Sequence, residues 1–301
     1  MNWTPNQVLI PLDGGSESGA ALDSGPILLR SGVTTFHLLA IAEPLDDDEN
    51  SDRDLREAHA QGRTNLETYL EVTANDLREK LGVEVHSHFR IGVPPAEILQ
   101  AADELAVDMI ALATHGRTGL DRWRLGSVAD RVLRASTRPA LVIGPNVRLD
   151  GSSVKATRIA VPLDGSERAE QAIIPAVSLA GSLEASLELV TVPTYHVPFG
   201  TDPYISLNFR SIIARLEARA RLYLENVPVP SVADTARVTL THAASNQVGT
   251  LLNKHFSELP GVLVVMTTHG RTGLTRWALG SVAEEVIRGP APVLILRVSD
   301  A

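Results

Sequence analysis

The amino-acid sequence predicts a doubly wound α/β fold, an open parallel sheet with helices on both faces, built twice within 301 residues. Three observations predict it. The stretch from Ala113 to Leu133, ATHGRTGLDRWRLGSVADRVL, returns from Thr267 to Ile287 as TTHGRTGLTRWALGSVAEEVI. Between His115 and Ala129 only two of fifteen positions differ from the second copy, Asp121 against Thr275 and Arg124 against Ala278. Around these copies, short runs of Val, Ile and Leu alternate with helix-periodic segments, the pattern of right-handed parallel crossovers. Finally, the matched Gly126 and Gly280 stand 154 positions apart, about half of a chain too long for one typical core.

The elements follow in order and in pairs. QVLIPLDGGSE, from Gln7, matches RIAVPLDGSER, from Arg158; each is a short buried strand that ends in Pro-Leu-Asp-Gly and a turn. SGAALDSGPILLR and RAEQAIIPAVSLAG are then read as helices, and TTFHLLAIAEP and SLELVTVPTYH as second strands. Long helical segments follow, LREAHAQGRTNLETYLEVTANDLREKLG and SIIARLEARARLYLENV. VEVHSHFRIG and ARVTLTHAAS alternate as third strands, PAEILQAADELA and QVGTLLNKHFS are third helices, and VDMIALATHG and GVLVVMTTHG run as fourth strands into the repeated motif. SVADRVLRAS and SVAEEVIRG open the last helices, before fifth strands PALVIG and PVLILRV. Residues 144–157, rich in Gly, Pro and Ser, read as a linker, which gives domains of 1–147 and 154–301. Two inserts break the symmetry. EPLDDDENSDRD reads as a solvated acidic loop, and PTYHVPFGTDPYISLNF as a cover for either a ligand mouth or a partner surface.

Composition narrows the function. A net charge of −9 gives no basic field for displacing the counterions of nucleic acid. The absence of cysteine removes disulfides, thiolate nucleophiles and thiolate metal sites together. No basic leader precedes an apolar run at the N-terminus and no stretch is long enough to span a bilayer, so a cytoplasmic protein is the expectation.

In an open α/β sheet, ligands sit beyond the carboxyl ends of the strands, where strand order reverses. Asp13 and Asp164 fall there, at the ends of the first strands, and so does each glycine-rich loop. Gly116 and Gly126, or Gly270 and Gly280, let backbone amides approach an anion without hindrance from a Cβ. Ser127 or Ser281 then stands at a helix N-terminus, where the dipole favours phosphate. Ser127 with Asp130, and Ser281 with Glu284, also fit a capping box, and a capped helix needs no ligand. Capping does not explain the near-identity of the loop between the glycines, although duplication alone does. The loop is not a Walker A motif, since Leu125 and Leu279 stand where the phosphate-binding lysine would be. Elsewhere, His86 and His88 share one face of a strand, and two histidines alone make a poor metal site. His115 and His269 read as loop structure, because no repeated nucleophile–base pair accompanies them.

A strand ending in Pro-x-Asp, a later Gly-x-Pro at Gly92 and Pro94, and Gly-x-x-Gly-x9-Gly-Ser before the last helix together resemble the universal stress protein family, over nearly the whole chain. The resemblance implies a five-stranded parallel sheet in each half with ATP, or ADP or AMP, at its carboxyl edge, Mg2+ being the accompanying cation. By motif, Asp13 and Asp164 would contact the adenosine, while Ile41 and Val192 would flank the adenine. Gly116, Gly126 and Ser127, with Gly270, Gly280 and Ser281, would hold ribose and phosphates. Two departures stand out. The first glycine of the family pattern is Ala113 in one half and Thr267 in the other, and THAASNQVG lacks the Gly-x-Pro of the first half. Threonine is expected to crowd the ribose, so the second site is the less secure of the two. The resemblance also implies pairing through fifth strands, satisfied within the chain as a pseudo-dimer, with homodimerisation as a further option. Three functions stay open: a nucleotide-binding stress-response regulator without rapid turnover, a slow ATPase or phosphoryl-transfer enzyme with Asp13 or Asp164 holding Mg2+ through water, and an interaction scaffold with degenerate pockets.

Overall fold

The computed structural model describes residues 5–15, 18–30, 33–45, 53–114, 125–147, 156–195, 203–230, 235–244, 247–268 and 279–297. Two compact units are carried mainly by Thr4–Pro145 and Lys155–Ala301. The first contains β1 (Gln7–Leu12), a 3-10 segment (Ser18–Ser24), α1 (Gly25–Arg30), β2 (Thr35–Ala42) and α2 (Arg53–Leu81). It continues through β3 (Glu84–Ile91), α3 (Pro94–Glu104), β4 (Met109–Ala113), α4 (Ser127–Ala135) and β5 (Ala140–Ile143). Its strands lie in the order β3-β2-β1-β4-β5, all paired parallel.

The second unit runs β6 (Arg158–Leu163), α5 (Glu167–Glu170), α6 (Ile173–Leu183), β7 (Ser186–Thr191), β8 (Thr194–Tyr195) and α7 (Pro203–Asn226). Then come β9 (Thr235–Thr239), β10 (Ala243–Ala244), α8 (Val248–Ser257), β11 (Val262–Thr268), α9 (Ser281–Ile287) and β12 (Val293–Arg297). The same order recurs as β9-β7-β6-β11-β12, again all parallel.

Burial explains why the strands form where they do. Val8, Leu9 and Ile10 of β1, and Ile159, Ala160 and Val161 of β6, are fully shielded from solvent, as expected of inner strands covered on both faces. The edge strand β3 reads EVHSHFRI and is only partly buried, its polar side chains blunting the exposed edge.

Three readings of the sequence change. SGAALDSGPILLR is not one helix but a 3-10 segment followed by a six-residue helix, and RAEQAIIPAVSLAG is broken between Glu170 and Ile173. The aromatic insert is not a plain loop. Its start pairs as β8 with β10, and its end is the first part of α7, which begins on Pro203. Proline suits the first helical turn because no amide is needed there, a start signal that the surrounding aromatic residues masked.

Candidate functional site

In each sheet the strand order reverses beside the first strand. β1 is flanked by β2 on one side and β4 on the other, and β6 by β7 and β11. The crevice beyond those carboxyl ends is where an open α/β sheet takes a ligand.

Asp13 follows β1 directly and is exposed. Its Oδ1 accepts the Gly15 amide at 2.9 Å, closing a turn in which Gly14 has φ +78°. Asp164 repeats this: Oδ1 accepts the Ser166 amide at 3.0 Å and its hydroxyl at 2.6 Å, with Gly165 at φ +86°. A left-handed residue is required at that place in both turns, and glycine supplies it at least cost. Each aspartate therefore shapes its own loop as well as facing the edge.

Strand register places the other pair. Pro11 lies opposite Leu39 and Pro162 opposite Val190. Ile41 and Val192, two residues further along, are thus equivalent, both half-buried at the same level of the sheet.

The last helices carry the rest. Gly126 is the N-cap residue of α4 (φ −53°, ψ 143°) and Gly280 that of α9 (φ −60°, ψ 149°), and no side chain caps either helix. This corrects the capping-box reading. Ser127 and Ser281 are the first helical residues and are exposed, so their backbone is already helical and their hydroxyls are not in cap position. Asp130 turns instead to Arg134, whose Nε donates to both of its oxygens at 2.8 Å. Each helix follows the carboxyl end of β4 or β11 in the chain, so its first amides and the positive end of its dipole lie at that edge, which suits an anion. Gly116 and Gly270, with their loops at 115–124 and 269–278, lie outside the described residues.

The sequence profile of the Universal stress protein family matches residues 5–144 and again 155–297. The chain belongs to the universal stress protein family. Universal stress protein Rv2005c of Mycobacterium tuberculosis is 28% identical over 219 residues, 72% of this chain and 70% of that protein. Universal stress protein MJ0531 of Methanocaldococcus jannaschii is 42% identical over 67 residues, 22% of this chain and 39% of that relative's length. A universal stress protein from Archaeoglobus fulgidus shares the fold with a TM-score of 0.65 at 20% identity, covering 99% of this chain and 98% of its own.

Within this tandem universal stress protein the two carboxyl edges differ. On the second edge, Thr267 Oγ1 donates to the carbonyl of Arg168 in α5 at 3.0 Å. Tyr223 of α7 donates to Glu170 Oε1 at 2.9 Å. Burial first, then the bond to Glu170 and the negative charges of Glu170 and Asp164, push its ionisation well above the ordinary tyrosine range. Both contacts tie the segment after Asp164 to neighbouring elements. In the first domain the Gly92 amide donates to the Ala42 carbonyl at 3.0 Å, and the Glu97 side chain packs where a Cβ on residue 92 would stand.

The amino halves of the sheets hold ionisable groups that the sequence reading missed. His37 of β2 is 6% exposed; its Nδ1 lies 3.0 Å from His88 Nε2, and its Nε2 lies 3.0 Å from Gln7 Oε1. Burial, then the neighbouring His88 and His86, hold His37 down to about 4. The equivalent residue in the second domain is Glu188, 1% exposed, which bonds Arg158 Nη1 and His255 Nε2, both at 2.6 Å. One signal was available: each is a single ionisable residue inside an apolar strand, TFHLLAIA and SLELVT. Among the described residues, no helix is long and apolar enough to cross a membrane.

Proposed function

We propose that this chain is a regulatory protein that binds an adenine nucleotide, ATP being the expected ligand, without rapid turnover, and that the first domain holds the working site. The observation that carries the reading is α4: nine residues long, capped by Gly126 rather than by a side chain, with the Ser127 hydroxyl exposed. An anion placed there meets unpaired amides and the positive end of a helix dipole. Family membership and the placement of Asp13 and Ile41 support the adenosine end of the reading.

The second domain has the same parts but a shorter helix, seven residues in α9, and the segment after its turn is tied by Thr267 and Tyr223. Those ties favour a structural second domain, or one that binds more weakly. Calorimetric titration of nucleotide-stripped protein with ATP and Mg2+ tests both statements. A variant carrying Gly126→Asp puts a carboxylate in the cradle and is expected to abolish the main binding heat, whereas Gly280→Asp leaves it in place. The reverse pattern reassigns the site, and no heat from folded wild-type protein ends the nucleotide reading.

A further inference from the structure

We propose that His37, His86 and His88 form an acid-sensitive latch that releases edge strand β3 from the sheet of the first domain. The proposal does not rest on the nucleotide reading, since the cluster lies in the amino half of the sheet and its test uses no ligand.

Strand register brings the three imidazoles together. His86 and His88 alternate along β3 and so share a face. His37 sits opposite His86 on β2, in parallel register, and their rings stack with centroids 5.3 Å apart. The His37 and His88 centroids are also 5.3 Å apart. His37 Nε2 donates to Gln7 Oε1 at 3.0 Å, so its Nδ1 accepts from His88 Nε2, again at 3.0 Å. These contacts hold β3 on β2 while the rings are neutral. A proton on His37 places a charge on a residue that is 6% exposed. A further proton on His88 sets two N–H groups against each other.

The groups around the cluster do little to relieve that charge. From β1 it meets Gln7, a neutral amide whose backbone N–H is held by Asp108 at 2.9 Å. In α3, Glu97 and Glu104 engage Arg90, the next residue of β3 on the histidine face, and Asp103 pairs with Arg138. On the opposite face of β3, α2 contributes Glu71, bonded to Ser87, and Arg78, which donates to the Val85 carbonyl. Glu84 favours a proton, with Oε1 3.0 Å from His86 Nε2, but both side chains are exposed and water screens the attraction.

Burial, then His88 and His86, hold His37 down to about 4; burial, then His86 and Arg90, lower His88 as well. In a released strand an imidazole ionises near pH 6.5. The released state therefore takes up protons that the closed state refuses. The hold on β3 is complete above about pH 6.5 and is lost as pH falls toward 4. In the second domain the equivalent place holds Glu188 with Arg158 and His255, and a proton on His255 strengthens that contact. The histidine response thus belongs to the first domain.

Amide hydrogen exchange of the full chain at pH 7 and pH 5, with labelling times scaled to the intrinsic rates, tests the latch. Peptides covering residues 84–91 are expected to lose protection by about tenfold or more at the lower pH, while those covering 158–163 and 186–191 keep theirs. His37→Gln removes the buried titrating ring and should keep 84–91 protected at both pH values. Should that variant fail to fold, His88→Gln on the edge strand serves in its place, and the loss between pH 7 and pH 5 should shrink. Equal protection of 84–91 in wild-type protein at both pH values overturns the proposal. So does a loss shared equally by both domains, or one that the folded variants reproduce in full.

Discussion

At the scale of single residues, the buried carboxylate of Glu188 is where one substitution should cost most. Its two oxygens are each bonded to a partner at 2.6 Å, one to Arg158 and one to His255, and the residue is 1% exposed. Removing the carboxylate takes a hydrogen-bond partner from both Arg158 and His255, which keep partial access to water, so Glu188→Ala is expected to destabilise the chain by about 1–3 kcal/mol in denaturant unfolding. Tyr223 makes a prediction in pH. Its hydroxyl stays protonated in the folded state beyond the ordinary range, because burial and the negative Glu170 and Asp164 oppose the phenolate. In the unfolded chain it ionises near pH 10. The folded state therefore retains a proton that the unfolded state loses, and the stability Tyr223 contributes is complete below about pH 10 and falls as pH rises past it. Its phenolate absorbance should appear only well above pH 10, and Tyr223→Phe should remove that late step.

At the scale of elements, helix contacts set limits that composition does not reveal. A Cβ on Gly249, in the first turn of α8, would meet the Glu285 Cβ of α9 at 2.5 Å. Alanine gains about 1 kcal/mol over glycine in a helix, but overpacking costs about 1–3 kcal/mol. Gly249→Ala should thus lower the denaturation midpoint despite its better propensity. Element order, the parallel sense of the sheets and both halves of the duplication were legible from periodicity, since inner strands such as VLI in β1 and IAV in β6 are apolar without interruption; which strands neighbour one another was not. Helix starts were less so. The true cap residue of α4 is Gly126, one before the serine that pattern alone suggested, because a glycine N-cap leaves no side-chain signature. The His37 cluster was invisible for a different reason: it joins residues 51 apart, and only strand register shows that they meet.

At the scale of the whole molecule, a ligand that binds only the folded state raises its stability by about 2.7 kcal/mol at one hundred times its dissociation constant. If the first domain holds the working site, ATP with Mg2+ should raise the melting temperature of wild-type protein and of Gly280→Asp, but not of Gly126→Asp. The net charge of −9 adds a separate expectation, that duplex DNA is not retained in a filter-binding assay at physiological salt. The two domains repeat one strand order and one register, yet the matched positions 37 and 188 hold a histidine among histidines and a carboxylate bonded to an arginine and a histidine. That mismatch restricts how segments of this chain could recombine. A crossover carrying β7 in place of β2 would bury Glu188 beside Gln7 with no arginine, and the reverse exchange would set His37 against Arg158. Duplication copies a strand and its neighbours together; once buried partners have diverged, the strand can no longer be traded alone.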